Sequence, residues 1–166
     1  MEELERLQAN VVQLKQENAN LRQGYISVNE RYSGALKQMN VLTANATEAA
    51  IHASSAAALS TIASQKAADA AQEAAAQSKL VAAGIALEAA EKAAEASGAA
   101  ALAARAAATA ALASASLLAD KFSREASTKA INAARDAEEA SVSSARITQS
   151  ASEFMELAKG RITKPD

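Results

Sequence analysis

The chain has 166 residues, no cysteine, no tryptophan, one proline and 2% aromatic residues, yet 50% of it is hydrophobic, because alanine makes up about three residues in ten. Alanine buries roughly one methyl where leucine buries a whole side chain, so a compact core of enzyme size is excluded, and with it the α/β and all-β catalytic classes. A net charge of -2 without a basic stripe argues against nucleic acid and anionic membranes as partners, and the lack of cysteine removes disulfides and thiolate metal sites.

The N-terminal residues Met1-Glu2-Glu3-Leu4-Glu5-Arg6 are acidic and lack an apolar run, which predicts no signal peptide and no transit peptide. A seven-residue frame then fits the first third. Its a positions are Leu4, Val11, Asn18, Tyr25, Tyr32 and Met39, and its d positions Leu7, Leu14, Leu21, Val28, Ala35 and Leu42. Eleven of these twelve are apolar or aromatic, the signature of a coiled coil, because a 3.5-residue repeat keeps one stripe facing a partner only if the helices supercoil. Asn18 at an a position is favourable only opposite another Asn at the same level, which predicts a parallel, in-register homo-oligomer. Glu17 at g and Arg22 at the following e offer an interchain ion pair in that geometry.

Beyond Leu42 the same frame continues with smaller side chains, through a positions Ala46, Ala53, Ser60, Ala67 and Ala74 and d positions Ala49, Ala56, Ala63 and Ala70, until Gln77 breaks it. A second frame follows, with a positions Leu80, Leu87, Ala94, Ala101, Ala108, Ala115 and Phe122 and d positions Ala83, Ala90, Ser97, Ala104, Ala111 and Leu118. A third begins four residues after Phe122, a stutter, with a positions Ala126, Ala133, Ala140, Ile147 and Phe154 and d positions Ala130, Ala137, Ser144, Ala151 and Ala158. Alanine fits almost any frame, so the charges are the better test. Lys66, Asp69, Glu73, Lys79, Glu88, Glu91, Lys92, Glu95, Arg105, Asp120, Lys121, Arg135, Asp136, Glu138, Glu139 and Arg146 all fall off the seam of the local frame. Ile51, Leu59, Ile62, Ile85, Leu102 and Leu112 fall off it too, and so wide an apolar face suits three or more helices around an axis.

Helix breakers are nearly absent, and alanine is the strongest helix former, so the expected fold is all-α: one nearly continuous helix to about Ala158 in a parallel homo-oligomeric coiled coil, trimer preferred over dimer. The alternative is a helical hairpin in a bundle, with bends available at Ser33-Gly34, Gln77-Ser78-Lys79 or Ser97-Gly98. The chain divides into a leucine-type coil (1–43), an alanine-rich shaft (44–122), a second coiled segment after the stutter (123–159) and a non-helical tail (160–166) in which Gly160 and Pro165 mark the helix stop. The expected oligomer contacts are the large seam residues of the first third together with Leu80, Leu87, Leu118, Phe122, Ile147 and Phe154.

No constellation for chemistry is present in the sequence. His52, the only histidine, has no second ligand type nearby; the serines have no base beside them; Asp136, Glu138 and Glu139 are flanked by Arg135 and Arg146 as on a solvated ion-paired face. No catalytic residue, cofactor or metal is expected, and the chain is read as a non-enzyme. The least charged stretch, Ala96 to Ala119, is interrupted by Arg105, and its longest uncharged piece of 14 residues falls short of the roughly 20 that span a bilayer, so no transmembrane segment is expected.

The run Ala44-Asn45-Ala46-Thr47-Glu48-Ala49-Ala50, with Ala53-Ser54-Ser55-Ala56-Ala57-Ala58 and Ala67-Ala68-Asp69-Ala70-Ala71, resembles the alanine- and serine-rich shafts of tailed-phage side tail fibres. The resemblance covers residues 44–119 and is compositional. It implies a parallel trimeric coiled coil in a virion, a fibre, whisker or connector held at one or both ends by other structural proteins. This chain departs from the pattern in opening with a leucine-type coil and in having no β-rich tip, which leaves receptor recognition out of the reading. The alternative function is an alanine-rich amphipathic protein coating a granule or a lipid surface in the cytoplasm; the threonines lack the regular spacing of an ice-binding face.

Overall fold

A computed structural model describes residues 1–118 and 121–162, and all its regular structure is helical: α1 (Glu2–Ala76), α2 (Leu80–Leu118) and α3 (Lys121–Ile162). Two compact units divide the chain, Met1–Asn40 and Val41–Asp166. Unit 1 is helix alone. Its first turn carries Glu2, Glu3 and Glu5, whose charges favour the amide end of the helix dipole, and the Met1 carbonyl accepts hydrogen bonds from the Leu4 and Glu5 amides.

Unit 2 is an up-down-up bundle of three helices from one chain. The part of α1 from Val41 onward is antiparallel to α2, as shown by the Thr43 hydroxyl on Ser114 Oγ at 2.7 Å and the Ser97 hydroxyl on the Ala57 carbonyl at 3.1 Å. It is parallel to α3 with an offset of 79 residues, seen twice: the Thr47 hydroxyl reaches the Ala126 carbonyl at 3.2 Å and the Thr61 hydroxyl reaches the Ala140 carbonyl at 2.9 Å. The single continuous helix is therefore corrected to a folded-back chain; the alternative of a helical hairpin in a bundle is met by α1 and α2, and α3 adds a third helix to it.

The first reversal lies at Gln77-Ser78-Lys79, one of the three expected bends. The Ser78 amide donates to the Ala75 carbonyl at 3.0 Å and the Lys79 amide to the Ala74 carbonyl at 2.9 Å, the paired bonds of a Schellman cap, and Ser78 takes the left-handed conformation this cap requires, with φ 58°. The Lys79 carbonyl then accepts from the Ala83 amide and opens α2. The other two candidates are not bends: Ser33-Gly34 lies within α1 and Ser97-Gly98 within α2. α2 ends at Leu118 and α3, running the opposite way, begins at Lys121, just before the expected stutter, so the frame changes because a new helix begins; Ala119 and Asp120 lie outside the described residues. At the other end α3 continues through Gly160 to Ile162, beyond the expected stop, and Pro165 lies outside the described residues.

Among the described residues the core is alanine with serine and threonine, and its only large side chains are Leu87 and Met155. Ala50, Ala57, Ala101, Ala104, Ala108, Ala111, Ala130, Ala133, Ala134 and Ala137 form one buried cluster, and a second is built on Ala68, Ala71, Ala75, Ala83, Ala90 and Ala151 with Leu87 and Met155. Methyl-sized knobs let the helices approach at the short end of the usual range of about 8–10 Å between axes, close enough for a hydroxyl on one helix to reach a carbonyl on the next. In α2 the buried residues are those of the second frame. In α1 they are not: the buried line runs through Thr43, Thr47, Ala50, Ala57, Ser64, Ala68, Ala71 and Ala75, while Ala49, Ala56, Ala63 and Ala70, the expected d positions, face solvent. Counting alanines cannot separate two faces that are both alanine; the bonding hydroxyls decide which one turns inward.

Those hydroxyls fall into two layers. Thr43, Thr47, Ser114, Ser123 and Ser127 occupy one, and Thr61, Ser64, Ser97, Ser144 and Thr148 the other, between the two alanine clusters. Ser64 meets Thr148 at 3.1 Å and Thr61 meets Ser97 at 3.3 Å. Ser144 is fully buried, and its hydroxyl alone among the described buried side chains has no hydrogen-bond partner.

Two substitutions test this account. Ser78→Gly removes the left-handed penalty and is expected to stabilise unit 2 by about 1 kcal/mol, raising its melting temperature by a few degrees. Ser144→Ala relieves an unpaired buried hydroxyl and is expected to stabilise by a similar ~1 kcal/mol in urea titration; a loss of stability would mean that the hydroxyl is bonded.

Candidate interaction surfaces

In unit 1 the heptad places Leu4, Leu7, Val11, Leu14, Asn18, Leu21, Tyr25, Val28 and Tyr32 on one stripe of a single helix, and all of them are exposed, Leu21 and Tyr25 to about three-quarters. Met39 is half-buried and Leu42, the first seam residue of unit 2, is exposed. Isolated helices in water gain little from propensity alone, and most helical stability comes from packing an apolar face. Nothing within unit 1 packs against this face. Two pairs of polar side chains elsewhere are engaged along the helix, Gln13 Nε2 donating to Glu17 Oε1 at 2.9 Å and Gln16 Nε2 to Asn20 Oδ1 at 3.3 Å; Asn18 takes no part in these pairs.

The seam residues of unit 2 divide differently. Leu87 is buried, Leu80, Leu118 and Ile147 are half-buried, and Leu87 and Ile147 belong to the second alanine cluster, where the chain's own helices cover them. Phe122 remains largely exposed, and Phe154 is exposed to 40%. The alanine positions of these seams are covered by the chain's own three helices, whereas the off-seam residues that broadened the apolar face are not. What the sequence analysis missed is the sorting by size: Ile51, Leu59, Ile62, Ile85, Leu102 and Leu112 lie on the outside, while alanine, serine and threonine fill the inside.

Charge is unevenly spread over this exterior. Between Thr47 and Gln65 α1 carries only Glu48 and His52, and between Glu95 and Leu118 α2 carries only Arg105. The outer face of α3 is charged, and Arg105 pairs across to Glu138 at 3.4 Å. His52 is exposed beside Glu48 at 3.5 Å. On α2, the hydrogen bond from Lys92 Nζ to Glu88 Oε1 at 2.6 Å, aided by the attraction of opposite charges, holds the Glu88 carboxyl below the ordinary carboxylate range and the Lys92 ammonium above its own. Both groups are solvated, so the pair adds little. What it adds is present at neutral pH and fades as pH falls through the lowered carboxylate value.

Shallow grooves on the bundle, such as the one lined by Arg105, Leu112, Ile131 and Glu138, are open to solvent. Among the described residues no group of three His, Asp or Glu side chains is placed to hold a metal ion. By length and composition α2 is apolar enough to cross a membrane, with a mean hydropathy of 1.5 over its best window, a test that the core helix of a bundle also passes. Comparison with protein-family models, with curated proteins and with solved structures gives no match.

The usual rule of core and surface is inverted in unit 2, which two variants expose. Ala104→Leu, at a fully buried position, is expected to destabilise the bundle by about 1–3 kcal/mol or more through overpacking. Leu59→Gln, on the outside, is expected to stay within about 0.5 kcal/mol of the parent. Both are read by thermal melting followed by circular dichroism.

Proposed function

We propose that this chain is a non-enzymatic structural protein that joins copies of itself through unit 1 and presents unit 2 as a slender spacer or mount within a larger assembly. The observation that carries this reading is the stripe from Leu4 to Tyr32, regular in heptads and uncovered in a single copy. The compositional resemblance of residues 44–119 to phage fibre shafts supports a virion fibre, whisker or connector as the setting, with other structural proteins at its ends. In that setting the alanine segment is a self-contained bundle in each copy.

Sedimentation and circular dichroism over a range of concentrations test the reading. A highly helical species of two to four chain masses, with a melting transition that shifts with concentration, is the expected result. A monomer at every concentration would sink it.

One observation favours a second reading, a protein that coats a lipid or granule surface: α1 and α2 expose Ile51, Leu59, Ile62, Leu102 and Leu112 over a length with few charges. Flotation with neutral phosphatidylcholine vesicles separates the two. Co-flotation of a monomer supports the coat, and recovery of an oligomer in the lipid-free fraction supports the structural role.

A further inference from the structure

Resting on the reading of unit 1 as the joining element, we infer that its partner is one second copy of the chain, parallel and in register, so that the protein is a two-stranded dimer rather than a trimer. The preference for three strands came from large apolar residues beyond Leu42, among them Ile51, Leu59, Ile62 and Leu102, that lie off the a and d seam. In the structure they lie on the outside of a bundle that each chain closes by itself, through Ala50, Ala57, Ala104, Ala111, Ala130 and Ala137, and not beside a seam shared between copies. They therefore say nothing about the number of strands in unit 1. What remains to set that number is the narrow a and d stripe of unit 1.

The N-terminal half of that stripe has two-stranded chemistry. Leucine occupies the first three d positions, Leu7, Leu14 and Leu21, while the a positions between them are the β-branched Val11 and the amide Asn18. β-Branched residues at a with leucine at d suit the side-chain packing of a parallel dimer, and a single polar a residue selects register and strand number at some expense of stability. In a dimer the two Asn18 amides face each other as donor and acceptor. In a trimer three would converge in a more enclosed layer, where they could not all be paired so simply. Glu17 at g lies one step before Arg22 at e, so a parallel, unshifted pair sets opposite charges side by side on both flanks. Of the other flanking positions, Gln8, Asn10, Asn29 and Gln38 are neutral, and the charged Glu3, Lys15 and Arg31 fall opposite Gln8, Asn10 and Leu36 in a parallel pair, so none adds repulsion. Six heptads of such contacts bury on the order of 1,500 Å², the size class of stable specific interfaces.

The composition supplies clean reporters. Tyr25 and Tyr32 are the only tyrosines, there is no tryptophan, and both tyrosines sit at a positions, so tyrosine emission and its quenching by acrylamide report on this interface alone. With no native cysteine, a single Leu14→Cys substitution reports on orientation. The experiment is light scattering coupled to size exclusion on the full chain, with tyrosine quenching across the same concentrations. The expected result is two chain masses, with tyrosines shielded in step with dimer formation. Three chain masses would overturn the two-stranded inference and leave self-association standing; one chain mass with quenchable tyrosines at all concentrations would overturn the self-association reading beneath it. Oxidation of the Leu14→Cys protein is expected to yield a covalent dimer, and failure to cross-link in a sample that is dimeric by scattering would overturn the parallel register. Asn18→Leu is expected to raise the melting temperature of the tyrosine-reported transition and to broaden the masses toward trimer. If mass and melting temperature both stay unchanged, Asn18 is not in the interface and the inference fails.

Discussion

The bundle depends on how closely its helix backbones approach. Alanine contributes one methyl to the interface, too little apolar area per layer for a leucine-style core, but it removes the bulk that keeps helices apart. Close approach then brings serine and threonine hydroxyls within reach of carbonyls on the neighbouring helix: Thr47 to Ala126, Thr61 to Ala140, Ser97 to Ala57. These contacts are local in geometry and global in effect. A face of alanines can slide by a whole heptad with little change in buried area, whereas a hydroxyl that must meet a particular carbonyl cannot.

The two polar layers are therefore the register device of unit 2. Residues 43, 47, 114, 123 and 127 come together, as do 61, 64, 97, 144 and 148, only when the chain folds back with α2 antiparallel to its neighbours and α3 offset by 79 residues from α1. In a straight, in-register rod the same residues would be scattered along its length, each facing its own counterpart. Their convergence in two places agrees with the cap at Ser78, whose left-handed backbone ends α1 where the first reversal occurs. Turn chemistry, packing size and polar pairing all support the same topology, the mark of a sequence with little conflict between local and global preference.

The two units solve the burial problem in opposite ways. Unit 2 covers its small residues with itself and leaves Leu59, Ile62 and Leu102 in solvent, so its large side chains contribute little to its own core. Unit 1 has large seam residues and nothing of its own to cover them. One helix, α1, contributes to both, and the buried line in its second part passes through Thr43 and Thr47 instead of continuing the positions of Leu42 and Ala46. The division of labour follows from side-chain size: leucine and valine layers give enough area per contact for a separate chain to bind, while alanine layers need the proximity that a covalent connection provides.

Much was legible without coordinates. Composition ruled out a large globular core, the near absence of breakers required helices, the charges marked which side of α2 and α3 is wet, and the heptad from Leu4 to Leu42 defined a stripe whose regularity does not depend on any fold. The loss of frame at Gln77 also pointed to a true reversal. Tertiary structure decided what periodicity could not: which of two alanine faces of α1 turns inward, that the partners of the alanine seam belong to the same chain, and that the large aliphatic residues of the bundle lie outside it. The physical reason is degeneracy. Methyl groups on neighbouring faces are equivalent to any count along the sequence, and only the meeting of specific hydroxyls and carbonyls across three helices separates them.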